Sequence, residues 1–315
     1  MIQIDRSLFT PEAVPEEVAK FDAELEAMLR DLPGTHEVPV QASRDARDQG
    51  KGVFPPHGPL ETGSDWVETP YGKRVRVSLP AGAPKGTYVH MHGGGWTLGR
   101  PSHQDGHNQK IARATGLAVV SVEYRLAPEN PWPAGPEDCL AAAEWVIEAA
   151  PYGDGPVMLG GESAGAHLAA VTALSLRDRG EAGRVKGVVL NYGCFDLRMT
   201  PSAKNWGPRK LVLSTPIMEF FSDCFVPDAA KRADPAVSPL LADLHDLPPA
   251  LFQIGTADPL IDDSLMMAAR WVAAGNRAEL AVYPGGIHAF EQFDHLGISK
   301  DFHARRIAFL TACLG

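Results

Sequence analysis

The apolar positions Val18, Phe21, Leu25, Met28 and Leu29 fall on one face of a helix over Glu16–Arg30, with acids opposite, and Pro33-Gly34 ends it. A polar segment rich in Arg and Asp follows, and Pro55-Pro56-His57-Gly58-Pro59 has the composition of a linker. From Trp66 the period changes. Residues 67–69 and 73–79 flank Pro70-Tyr71-Gly72, and the second run alternates, with Val75, Val77 and Leu79 against Arg74, Arg76 and Ser78. That pattern predicts a half-exposed antiparallel pair at a sheet edge. Runs at 87–91, 118–122, 157–159, 185–190, 251–254 and 280–283 are short, mostly apolar and do not alternate. Helical segments separate them, at about 104–115, 136–149, 164–179, 262–274 and 300–313. Such a series predicts a mostly parallel sheet buried on both faces. Between Leu190 and Leu251 the rhythm fails: about sixty residues carry a helical run at 216–224 and a Pro-rich stretch at 226–249, but no clear strand. The expected organisation is one compact α/β domain with its core at 61–195 and 236–315. A cap from residues 1–60 and an insertion at 196–235 would cover it.

Composition narrows the function. A formal net charge of −10 argues against nucleic acid or an anionic membrane surface as a general partner. Cys139, Cys194, Cys224 and Cys313 are far apart, so neither a zinc site nor a disulfide framework is suggested, and Cys139 and Cys313 fit small core positions. The first residues lack a basic region followed by an apolar one, and no apolar run is long enough to span a bilayer. A soluble cytoplasmic protein without membrane insertion is the expectation.

The candidate chemistry centres on Gly160-Gly161-Glu162-Ser163-Ala164-Gly165. An apolar strand precedes it and a breaker-free helical run follows. Small residues two positions either side of Ser163 suit a sharp strand-to-helix turn that lifts the hydroxyl above the sheet, beside free helix N–H groups. Alone, the five-residue pattern is weak. Its partners must come from elsewhere. His92-Gly93-Gly94-Gly95-Trp96 directly follows the strand at 87–91, where glycines let backbone N–H groups approach a substrate oxygen. It matches neither form of phosphate loop. Asp258 and His288 follow later strands, in the Ser, Asp, His order this arrangement needs, and leave the sheet at the same edge as Ser163. Asp262 and Asp263 fit the first turn of the next helix, His167 a satisfied core position, and His303 a packing position in the last helix. His90 and His92, or His103 and His107, have metal-like spacing, but no carboxylate or cysteine set completes a catalytic metal centre.

Taken together, HGGGW at 92–96, Tyr124-Arg125-Leu126-Ala127-Pro128-Glu129, GESAG at 161–165, Asp258-Pro259-Leu260 and His288 resemble the hormone-sensitive-lipase-like esterases of the α/β-hydrolase family. The resemblance spans residues 88 to about 293. It implies an eight-stranded α/β core under a helical cap, and a serine carboxylesterase acting on short- to medium-chain acyl esters without a cofactor. By the same resemblance the oxyanion donors are the N–H groups of Gly94, Gly95 and Ala164, and His92 supports the oxyanion loop. Trp96, Trp206, Phe220 and Phe221 are candidate pocket lining, and the strand at 280–283 is a candidate homodimer edge. Glu162 departs from the Asp or Thr common at that position and is taken as support of the site. Two alternatives accompany this reading: an amidase or deacetylase with the same triad, and a non-catalytic small-molecule receptor on the same fold.

Overall fold

Eight strands join into one sheet: β1 (Asp65–Glu68), β2 (Arg74–Ser78), β3 (Thr87–Met91), β4 (Ala118–Val122), β5 (Val157–Glu162), β6 (Val185–Asn191), β7 (Ala250–Ala257) and β8 (Ala278–Ile287). Their order is β1-β2-β4-β3-β5-β6-β7-β8 in the computed structural model, which describes residues 2–315. β1 and β2 run antiparallel to their neighbours, and every pairing from β4 through β8 is parallel. Nine helices accompany the sheet among the described residues: α1 (Glu16–Arg30), α2 (Val40–Asp48), α3 (Asp105–Thr115), α4 (Ala134–Ala149), α5 (Ala164–Asp178), α6 (Pro201–Asn205), α7 (Thr215–Phe225), α8 (Ile261–Ala273) and α9 (Gly297–Ala312).

The central strands do not alternate because both faces are covered. Val89, Val120, Leu159 and Val188 pack with α4, α5 and α8, whereas their neighbours Tyr88, Val119, Met158 and Val189 pack with Ile111 of α3 and Phe309 and Leu310 of α9. α5 lies at the middle of the first face. Twelve of its fifteen residues are buried, and its alanines allow close approach to β5 and β6. α1 buries Val18 and Leu25 against β8, in a cluster with Ile254, Tyr283, Phe290 and Phe302. β8 ends the sheet. No helix among the described residues is long and apolar enough to cross a membrane.

The structure departs from the sequence pattern in three places. β2 is not half-exposed: Arg76 is buried, with Nε and Nη2 donating to Asp105 of α3 at 3.1 and 2.8 Å, while Leu79 lies beyond the strand and is 52% exposed. The polar segment after Pro33-Gly34 contains α2, of whose charged side chains Arg44 and Asp48 make tertiary bonds. Arg44 bonds the carbonyls of Thr97 and Ala127 and both carboxylate oxygens of Glu129. The insertion contains the short α6 in addition to the expected α7.

The Arg76–Asp105 pair also holds the linker, since Leu60 N–H donates to Asp105 and Leu60 carbonyl accepts from Arg76. Asp105→Asn would leave a buried guanidinium without its counter-charge. We expect a loss of about 3–5 kcal/mol in unfolding free energy by urea titration, and a cost below about 1 kcal/mol would contradict this account of β2.

Candidate active site

β5 and β3 are neighbours in register, with Met91 opposite Gly161, so the turns that leave them lie side by side. Ser163 stands between β5 and α5 at φ 57° and ψ −119°, a left-handed conformation that costs a non-glycine residue about 1–3 kcal/mol. It is held there by Ser163 N–H donating to Asn191 carbonyl at 2.9 Å and by His167 N–H donating to Ser163 carbonyl at 3.1 Å. Gly161 and Gly165 are required by contact: a Cβ on either would lie about 2 Å from the Met91 carbonyl oxygen.

The structure brings Ser163, His288 and Asp258 together. Ser163 Oγ lies 2.9 Å from His288 Nε2, and His288 Nδ1 donates to Asp258 Oδ2 at 2.9 Å. Asp258 is buried and its other oxygen accepts from Leu260 N–H, which fixes the carboxylate plane. Tyr192 packs edge-on to the His288 ring, with its hydroxyl bonded to the buried Glu291. The rival acids look elsewhere. Asp263 accepts from the N–H groups of Phe195 and Asp196 and from Thr200, and Asp262 accepts from Ser202 N–H, so both tie the insertion to α8. Burial pushes the Asp263 carboxyl up to about 7 against those hydrogen bonds.

Gly93, Gly94 and Gly95 line the same cavity as Ser163. Gly94 and Gly95 adopt φ of 126° and 59°, and a Cβ on Gly95 would lie 2.3 Å from the Phe221 ring. Ala164 is the first residue of α5, so its N–H has no partner within the helix. His92 supports this loop from behind: Nδ1 donates to Gly93 carbonyl, and Tyr124 stacks on the ring at 4.2 Å while donating to His92 carbonyl. Burial pushes His92 down to about 3, so the ring is neutral at ordinary pH. Trp96 clamps the loop to the cap. Its ring stacks on Phe225 of α7 at 4.6 Å, and Nε1 donates to His167, which in turn donates to Val237 carbonyl. Burial holds His167 down to about 4, as befits a core histidine.

Glu162 acquires an explanation. Its side chain is buried beneath the turn; Oε2 accepts from His90 Nε2 at 2.8 Å and Oε1 from Arg306 of α9 at 3.1 Å. Burial alone would raise its pKa, but His90 and Arg306 outweigh it and hold the carboxyl down to about 2.

A cavity of about 460 Å³ opens over Ser163, within the range of small-molecule sites. Trp96 and Phe221 line it, as expected, with Leu213, Ile217 and Phe54. Trp206 and Phe220 do not. Trp206 follows α6 and lies under Arg209, to whose carbonyl its Nε1 donates. Phe220 is one helical position from Phe221 and is turned away from the lined face. The i, i+4 spacing of Ile217 and Phe221 was the available signal for the lining face. His103, paired in spacing with His107, instead bonds Asp48.

Comparison with known proteins agrees with this architecture. Residues 88–292 match the model of the alpha/beta hydrolase fold family. An acetyl esterase of Salmonella paratyphi B is 30% identical over 73% of this chain and 73% of its own. An esterase of Pyrobaculum calidifontis superposes with a TM-score of 0.83 at 31% identity, covering 93% of this chain and 99% of that one. A hormone-sensitive lipase from a metagenome library superposes equally well at 25% identity, covering 96% and 100%. The chain belongs to the α/β-hydrolase fold family, among its hormone-sensitive-lipase-like esterases.

Proposed function

We propose that the protein is a serine carboxylesterase that hydrolyses short- to medium-chain acyl esters through an acyl-enzyme intermediate. The observation that carries this reading is the unbroken line from Asp258 through His288 to Ser163, beside a turn rich in free N–H groups. Ser163 Oγ attacks the ester carbonyl and its proton passes to His288 Nε2, while Asp258 keeps the imidazole in the tautomer that can accept it. Negative charge develops on the carbonyl oxygen. The N–H groups of Gly94, Gly95 and Ala164 receive it, with the N-terminus of α5 behind them. His288 then protonates the departing alcohol, and water, activated by the same ring, attacks the acyl-enzyme and returns Ser163 to its hydroxyl form. No step needs a cofactor. The cavity volume and its apolar wall from Phe54, Leu213, Ile217 and Phe221 support acyl groups of a few carbons.

Glu162 acts in this reading as a positioning residue. It fixes the end of β5 to β3 through His90 and to α9 through Arg306, so that Ser163 is held at the height of His288.

Ser163→Ala should retain its fold by circular dichroism and lose at least about 10⁴-fold in kcat. In the same assay series, p-nitrophenyl esters should be cleaved best at short to medium chain length, and a matched anilide much more slowly. Full activity of the alanine variant would overturn the mechanism. Glu162→Gln removes the counter-charge of Arg306 and should lower the thermal midpoint. Because the folded-state pKa of Glu162 lies below the ordinary value of about 4.3, its contribution is complete above that pH and disappears as pH falls toward about 2. The gap between wild type and variant should therefore be widest near neutral pH and close in acid; a gap that widens in acid would contradict the pairing. β8, the terminal strand, is also proposed to pair with a second copy across a two-fold axis. Sedimentation velocity at micromolar concentration should then report a dimer, and monomer alone would remove the idea.

A further inference from the structure

The cavity over Ser163 is cationic although the chain as a whole is anionic. Among its lining residues Arg47, Lys51 and Lys210 carry positive charge, and Glu162 is the single acid. Both Glu162 oxygens are already engaged by His90 and Arg306, whereas the chain carries a net charge of −10. Lys210 is committed, since Nζ donates to the carbonyls of Arg30 and Leu32, and Lys51 is exposed at the mouth.

Arg47 differs. It lies in the last turn of α2, one turn beyond Arg44, whose guanidinium is saturated by two carbonyls and Glu129. The neighbouring acids are taken as well: Asp48 by Arg100 and His103, and Asp45 by Gln41. The Arg47 guanidinium makes no hydrogen bond or ion pair with any described residue, and its carbon lies 5.7 Å from the Phe54 ring centroid. Its head is beside the oxyanion loop, for a Cβ built on Gly94 would lie 3.4 Å from Nη1. Burial works against the charge, which a guanidinium nevertheless keeps. A partly buried cation with free donors costs stability unless something supplies the missing acceptor.

We propose that Arg47 recognises an anionic group on the substrate, and that the preferred substrates are esters that also bear a carboxylate. The inference rests on the esterase reading above. A guanidinium offers a planar fork that matches a carboxylate with two parallel hydrogen bonds, and the apolar ring of Phe54 beside it limits competition from water. Arg44 and its partners fix α2 to the oxyanion loop, so the charge is held at a set distance from the reacting carbonyl.

The test compares isosteric pairs that differ only in charge. One pair, 3-acetoxybenzoate and 3-acetoxybenzamide, places the anion on the alcohol side. The other, the p-nitrophenyl monoester of adipic acid and its terminal carboxamide, places it on the acyl side. The readout is the ratio of kcat/KM for the anionic member over the neutral one, in wild type, Arg47→Gln and Arg47→Lys. In wild type at least one pair should favour the anion by about 10-fold or more, the usual strength of a charged hydrogen bond. Arg47→Gln should reduce that ratio by about 10- to 100-fold, chiefly through KM, and Arg47→Lys should restore part of it as a single-point cation. Sodium chloride should weaken the preference. Absence of anion preference in both pairs overturns the proposal. So does an equal loss on both members in Arg47→Gln, which would mean that Arg47 only packs the oxyanion loop. Wild-type turnover of neutral p-nitrophenyl butyrate reports the esterase reading separately, so its failure is distinguishable from failure of the anion site.

Discussion

A serine held at φ 57° and ψ −119° is the constraint on which the rest of this molecule depends. The turn exists only because two glycines, one on each side, let the chain close against the Met91 carbonyl. That contact requires β3 and β5 to be adjacent, although β4 intervenes in sequence, and the sheet order supplies the adjacency. Once β3 lies beside β5, the loop leaving β3 emerges next to Ser163 and lines the same cavity, where the proposed mechanism needs its backbone N–H groups to receive an oxyanion. The arrangement that the proposed mechanism uses is thus a consequence of strand order. β7 and β8 complete it by delivering Asp258 and His288 from the same edge of the sheet.

Strain at one residue persists only if its surroundings are stiff. The buried Glu162 carboxylate ties the end of β5 to β3 and α9, His92 and Tyr124 fix the glycine loop, and Trp96 fixes that loop to the cap. α2 then adds Arg44, which reaches the same loop from the N-terminal segment. Four separate parts of the chain therefore converge on about ten residues. Most of the histidines in this support, His92 and His167 among them, are buried and held neutral, so they contribute directed hydrogen bonds without adding charge near the reacting centre.

The alternation of apolar runs and helical segments was legible because each parallel strand is covered on both faces, which leaves a signal along the chain itself. The site was legible for a related reason: Ser163, Asp258 and His288 each follow a strand directly. What escaped depends on distant partners. α2 was not visible because its apolar content is low and its purpose is served by Arg44, whose acceptor Glu129 is 85 residues away. The partners through which Glu162 supports the turn were not legible, because His90 and Arg306 lie 72 and 144 residues from it. Arg76 looked like a surface residue by alternation, since nothing in the strand pattern reveals an aspartate waiting on α3. Trp206 and Phe220 lie in the insertion, and a place in the insertion does not determine which side chains face the cavity.

The chain also holds a second line of serine, histidine and carboxylate, and the contrast separates geometry from function. Ser121 Oγ lies 2.8 Å from His90 Nδ1, and His90 Nε2 donates to Glu162 at 2.8 Å. By distance alone this resembles the line that ends at Ser163. Yet Ser121 lies within β4 and His90 within β3, both fully buried, and neither lines the cavity. Strand residues have their N–H groups spent on the ladder, so no oxyanion could be received there. Ser163 has what Ser121 lacks: a turn that lifts it clear of the sheet, free N–H groups at the start of α5, and an open volume in front. Hydrogen-bonded partners make a hydroxyl orderly. The strained turn, which opens it to the cavity while leaving donors unspent, is what fits it for the nucleophile's part in the proposed mechanism.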